Sequence, residues 1–151
     1  GGGSALVLAH QIPLLTMDID GIPYQTDLGM ADIDPYVKKV AKKLKLPADW
    51  LNTYFATFTF CLPKGYSDRL VSVFKGKKIT TLALGCEDLL IMKCFAGREK
   101  DISHARLLLK QNLDLKLVVN HLHHCLNLKL PKAQEALDFF YDCCEQLGID
   151  P

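Results

Sequence analysis

Asp18 and Asp20 flank Ile19 in the run LLTMDID, and GGGS stands at positions 1–4 with thirteen residues between the two motifs. In an extended strand, residues two apart project from one face, about 6 to 7 Å from each other. Two carboxylates placed like that repel unless a cation lies between them. Mg²⁺ or Mn²⁺ suits the position, because such ions take hard oxygen ligands and complete their shells with water and phosphate oxygens. Glycines at 1–3 let backbone N–H groups come close to phosphates, and a helix opening at Ser4–Ala5 would add a favourable dipole. Taken singly, each motif has an ordinary reading: Asp-x-Asp at an exposed strand end, GGGS as a linker. Their order and spacing together point to metal-assisted phosphate chemistry.

The elements that must position these residues follow from periodicity. Residues 5–11 read as a short helix. Residues 14–20 alternate as a strand, with Leu15, Met17 and Ile19 on one side and Thr16, Asp18 and Asp20 on the other. Asp34-Pro35 is a helix start, with Asp34 as N-cap, and that helix runs to about Leu46. It sets Val37, Val40, Ala41 and Leu44 against a lysine face of Lys38, Lys39, Lys42, Lys43 and Lys45. Residues 54–61 are aromatic and β-branched and are candidates for a strand. The clearer strands are 69–74 and 79–84, joined by a turn at Lys75-Gly76-Lys77. Beyond Gly85 the pattern is helical: 87–96 ending at Gly97, 102–111 capped by Asp101, then 114–127 and 131–147. A small mixed sheet followed by a helical C-terminal half is an α+β domain.

Composition narrows the function classes. A chain of 151 residues suits one domain, sheet-rich over 1–84 and helical over 85–151. A net charge of +1 argues against a chain dedicated as a whole to nucleic acid, although charge can cluster locally. There is no run of roughly 20 apolar residues to cross a bilayer, and no basic segment precedes the short apolar run that follows the glycines. No membrane partner is therefore expected. Cys61, Cys86, Cys94, Cys125, Cys143 and Cys144 form no CxxC pair and several lie in apolar helical patterns, so they read as reduced thiols in a cytoplasmic protein.

Two blocks carry a more specific likeness. GGGSALVL followed by LLTMDID is similar to the glycine-serine and Asp-x-Asp signature of the nucleotidyltransferase superfamily, with its polymerase-beta-like fold. EDLLIMKCFAGREKDISHARLLL, at 87–109, resembles the second block of minimal bacterial nucleotidyltransferases related to abortive-infection type toxins. The two blocks cover roughly 1–22 and 85–110. The resemblance implies a single nucleotidyltransferase-like domain over 1–151. It implies that Gly2, Gly3 and Ser4 bind phosphates, that Asp18 and Asp20 are catalytic and hold Mg²⁺ or Mn²⁺, and that Lys93, Arg98 and Lys100 contact the nucleotide. Asp101 matches the acidic member of the second block, hence a third catalytic assignment, although its position also suits a helix cap. Lys93→Ala is expected to weaken triphosphate binding while leaving stability nearly unchanged.

The chain departs from the superfamily pattern in three respects. Neither 69–74 nor 79–84 supplies a third carboxylate facing the site. Leu14 stands where a basic residue often precedes the first aspartate, and the strand that leads into the glycines would precede Gly1. The reaction implied is nucleotidyl transfer from a nucleoside triphosphate to an RNA (a tRNA in particular), protein or small-molecule hydroxyl, with an antitoxin protein as partner. The alternative is a catalytically weak nucleotide-binding or protein-interaction module on the same fold. Two further features have ordinary readings: His121, His124 and Cys125, at ligand-like helical spacing but lacking a fourth ligand, and the lysine face, which could contact an RNA backbone but more often is simply solvated.

Overall fold

The computed structural model describes residues 1–151, and the chain divides into two compact units, Gly1–Thr57 and Phe58–Pro151. The fold is α+β.

In the first unit, helix α1 (Gly2–Leu8) is followed by strand β1 (Ile19–Asp20), helix α2 (Met30–Leu44) and strand β2 (Leu51–Asn52). β1 and β2 pair in parallel, Ile19 with Leu51 and Asp20 with Asn52. The ladder extends one residue through Gly21 N donating to Asn52 O at 2.8 Å. The strand expected over 14–20 is thus confined to its last two residues. Leu15 and Met17 do not reach a core: they are 99% and 85% exposed. The reason is the short pairing, since alternation buries one face only where neighbouring strands or a covering layer exist.

Helix α2 begins a turn earlier than Asp34-Pro35 suggests. Asp32 Oδ2 accepts from Gly29 N at 2.7 Å, so Asp32 performs the capping and Pro35 falls inside the helix. Val37 and Ala41 face the core. Trp50, immediately before β2, donates its indole N–H to Val37 O at 3.1 Å. That bond ties α2 to the strand pair carrying Asp20.

The second unit opens with the rest of a 3-10 helix at Tyr54–Cys61, where a strand was a candidate, and continues with a short 3-10 turn at Tyr66–Arg69. Thr57 and Cys61 there bond back to carbonyls three residues earlier, a local pairing that replaces a ladder. Strands β3 (Val71–Lys75) and β4 (Thr80–Ala83) form an antiparallel hairpin with a register shift between Ser72 and Phe74. The expected mixture of pairings is present, but split between two two-stranded ribbons and not joined in one sheet. Helices α3 (Cys86–Ala96), α4 (Glu99–Leu109), α5 (Leu115–Asn127) and α6 (Ala133–Glu145) complete the chain. α3 is the centre: Asp88 through Phe95 are all buried, and α4, α5 and α6 pack around it. A helix apolar all round belongs inside a bundle. Gly97, at φ +57, closes it as the sequence indicates.

All six cysteines are free and five are buried. Burial pushes the Cys61 thiol up to about 12, and those of Cys86 and Cys144 to about 11, so they remain protonated at neutral pH. No helix is long and apolar enough to cross a membrane.

Candidate functional site

The glycine turn and the two aspartates lie together in the first unit. Gly1 N donates to Asp20 O at 2.8 Å, and Ser4, itself buried, donates its hydroxyl to Gly1 O at 3.0 Å. Gly2 opens α1 at φ +61, where a side chain is strained. A Cβ there would also sit 1.8 Å from Asp20 Oδ2. The residue must be glycine on both counts, because the Asp20 carboxylate lies directly over it. At Gly3 a Cβ would come within 3.2 Å of Thr16 Oγ1.

Thr16 links that turn to Asp18. Its hydroxyl lies 3.1 Å from Asp18 O and 3.3 Å from Asp18 Oδ1, so residues 16 and 18 project the same way although they precede β1. The other carboxylate oxygen, Oδ2, accepts from Asn52 Nδ2 at 3.0 Å. Asn52 is itself oriented by Tyr54 N, which donates to its Oδ1 at 2.9 Å. Asp18 is exposed and Asp20 half-buried. Asn52 and Thr16 escaped the sequence reading. Thr16 was visible as a neighbour on the Asp18 face, whereas Asn52 lies 34 residues away and only the parallel pairing brings it near.

Magnesium takes one or two protein carboxylates and fills its shell with water and phosphate, so this donor set fits it. Nowhere do three or more His, Cys, Asp or Glu side chains gather into a group able to hold a metal. The electrostatics constrain the arrangement further. Repulsion between a phosphate and a carboxylate over this turn falls when a cation lies between them.

The second block forms a separate arrangement inside the second unit. Lys93 is buried and donates to Asp101 Oδ1 at 2.7 Å. Arg98 donates through Nε to Asp101 Oδ2 at 2.6 Å and through Nη2 to Oδ1 at 3.3 Å. Asp101 has no exposed surface. Burial alone would raise its pKa, but hydrogen bonds from Arg98 and Lys93 outweigh that and hold the carboxyl below its usual value. Two sequence expectations change here. Asp101 is the third residue of α4, not the cap of a helix over 102–111: its carboxylate reaches back to Arg98 N at 3.3 Å and starts the helix at Glu99. Lys93 is an interior ion-pair partner, so Lys93→Ala must cost stability. Lys100 is exposed.

A comparable pair went unremarked in the sequence. Arg69 donates to both oxygens of the wholly buried Asp88, at 3.0 and 2.6 Å, and Asp88 in turn holds the guanidinium's pKa above its usual value. This fastens the 3-10 turn before β3 to the first turn of α3. His121 Nε2 lies 2.8 Å from Cys61 O and 3.3 Å from Cys125 Sγ, which accounts for its ring within the packing.

A family model described as "Nucleotidyltransferase of unknown function (DUF6036)" matches residues 1–142 of the chain. No curated protein and no solved structure matches it.

Proposed function

The chain belongs to that nucleotidyltransferase family, and from this premise we propose that Gly2, Gly3 and Ser4 receive the phosphates of a nucleoside triphosphate beside a metal held by Asp18 and Asp20. The nucleotidyl group then passes to a hydroxyl on RNA, protein or a small molecule. The observation that carries this reading is the contact between the Asp20 carboxylate and the Gly2 backbone, which joins the only two features needed for a metal-bridged phosphate. Bound Mg²⁺ or Mn²⁺ would neutralise the phosphate oxygens and polarise the reacting phosphorus.

The chain's own residues supply position. Gly2, lacking Cβ, lets the Asp20 carboxylate lie close against the turn; Thr16 and Asn52 fix the plane of the Asp18 carboxylate. In the reaction, the acceptor oxygen forms its bond to the α-phosphorus while the bond from that phosphorus to the bridging β-oxygen breaks. Pyrophosphate leaves and the hydroxyl proton passes to water. In the second block, Asp101 acts as a positioning residue that fixes Arg98, and Lys93 completes that clamp. Arg98 and Lys100 are the block's cations near this clamp, and on the family's pattern residues of this block contact nucleotide. Free, high-pKa thiols are in keeping with a cytoplasmic setting, and the proposed protein partner is an antitoxin.

A second reading, nucleotide binding without transfer, is favoured by the lack of any three-acid cluster. One experiment separates the two. The chain is incubated with each labelled nucleoside triphosphate, Mg²⁺ or Mn²⁺ and a cell extract, alongside calorimetry of triphosphate binding. Label transferred to an acceptor, abolished in Asp18→Asn and Asp20→Asn, supports transfer. Metal-dependent binding with no labelled acceptor supports the second reading. Equal affinity in wild type and both folded variants removes the site.

A further inference from the structure

Residues 36–46 carry five lysines and no acidic residue, although the whole chain is only +1. All five lysines are exposed. Asp34 engages only Lys38, at 2.6 Å. Lys39, Lys42, Lys43 and, at the C-cap of α2, Lys45 have no ion-pair partner in the chain. On a helical projection they spread along the side away from Val37 and Ala41: Lys38, Lys42 and Lys45 form one row, Lys39 and Lys43 the next. Successive members of a row are separated by about 4.5 to 6 Å along the axis. Tyr36, 71% exposed, stands at the N-terminal end of the array. Like charges at i, i+4 destabilise a helix slightly, so the fold gains nothing from concentrating them here.

From this surface we infer that α2 binds the phosphate backbone of an RNA, the acceptor class for the proposed transfer; the acceptor role rests on the functional reading above, the binding surface does not. Unpaired ammonium groups in two rows meet successive phosphates, and Tyr36 offers a ring on which an unpaired base can stack. The Trp50 bond to Val37 O holds α2 against the β1–β2 pair, so the bound strand keeps a set position relative to Asp20. A protein partner is the weaker candidate. The apolar residues beside the lysines are Tyr36, Val40 and Leu44, and Val40 is only 37% exposed. Three side chains fall well short of the roughly 20 to 30 residues a side of an ordinary protein interface.

The test is fluorescence anisotropy with a labelled 20-nucleotide single-stranded RNA of mixed sequence, without nucleoside triphosphate, across a KCl series. The variant replaces Lys39, Lys42, Lys43 and Lys45 by Gln, which keeps helix propensity and leaves the Lys38–Asp34 pair intact; circular dichroism checks its fold. For about four phosphate contacts, log affinity against log salt should have a slope near −3 in the wild type. In the variant, binding should fall at least tenfold and the slope flatten. Wild type and variant binding alike, or no wild-type binding at low salt, overturns the inference. So does displacement of the RNA by polyglutamate at equal charge concentration, which would indicate an acidic polypeptide as the occupant. Calorimetry of triphosphate binding on the same samples keeps the two readings apart. The lysine variant should bind metal–triphosphate normally, and Asp18→Asn should bind RNA normally. RNA binding without any triphosphate binding upholds the surface while overturning the site.

Discussion

Four aspartates divide this chain into two kinds of place. Asp18 and Asp20 sit in the first unit, exposed or half-buried, and Asp18 is held by a hydroxyl and an amide, which carry no charge. Asp88 and Asp101 sit in the second unit with no exposed surface, each gripped by one or two cations. A carboxylate held by neutral donors keeps its charge for a ligand. A buried carboxylate clamped by Lys and Arg has its charge answered within the fold, and its worth lies in the helices it joins. Charge available for chemistry and charge used for architecture are thus told apart by partners, not by residue type.

The strongest challenge to that contrast is Asp101→Asn. It leaves the Lys93 amine buried against a neutral group, and unfolding in urea should show a loss of about 3 to 5 kcal/mol. Lys93→Met, which removes the buried amine but leaves Arg98 on Asp101, should cost less. A loss below about 1 kcal/mol for Asp101→Asn would mean that the clamp is not structural.

Gly2→Ala should come next. Positive φ and the approach of Asp20 Oδ2 both oppose a side chain, and stability should fall by about 1 to 2 kcal/mol. Metal-dependent triphosphate binding, followed by calorimetry, should weaken at least tenfold. Unchanged binding would show that the Gly2–Asp20 contact is incidental.

Smaller still in stability, Asp18→Asn should shift unfolding by no more than about 0.5 kcal/mol, as surface substitutions do. Its effect should appear in metal–triphosphate affinity. Asn52→Ala sharpens the point: it releases Asp18 Oδ2 and should reproduce part of the affinity loss. If Asn52→Ala destabilises the fold strongly while sparing affinity, Asn52 belongs to the strand pair alone.

The slightest effect expected is on the acid side of the stability profile. The Asp101 pKa is depressed in the fold, so its contribution is full above the ordinary aspartate value near 3.9 and is lost as pH falls through the lower folded value. His104 acts in a higher window. Burial and then Lys93 lower its pKa below 6.5, so stability declines as pH drops from 6.5 towards the folded value. Its Nδ1 is buried without a hydrogen bond, 4.0 Å from Asp101 Oδ1. His104→Gln should erase the upper step in a pH series of melting temperatures and leave the lower one.

How much of this was legible beforehand varies by element. Helices α3 to α6 were readable to within a few residues, because Gly85, Gly97, Asp114 and Gly148 are local stop and start signals beside long apolar patterns. The helix starts at Met30 and Glu99 were displaced, since in both a carboxylate three residues inside reaches back to an N–H that the apolar pattern does not mark. The run 14–20 was over-read: alternation describes which side chains could share a face, whereas strand length depends on a partner. The same limit applied to Lys93, assigned to nucleotide contact and expected to matter little for stability, which is interior because α4 brings Asp101 to it.

What the sequence determined by itself was the local chemistry: an α+β order of elements, Gly97 as a helix stop, an Asp-x-Asp pair downstream of a glycine-serine turn, and a concentration of lysines on one helix. Those properties reside in single residues and short spacings, and they need no partner to be recognised. Which carboxylate stays available was decided only by tertiary structure. Asp18 and Asp101 are the same residue type, and the difference between them is made by Asn52, 34 residues away in sequence, and by Lys93, eight residues away on another helix. Burial and partner charge set the environment of an ionisable group, and both are properties of the packed chain.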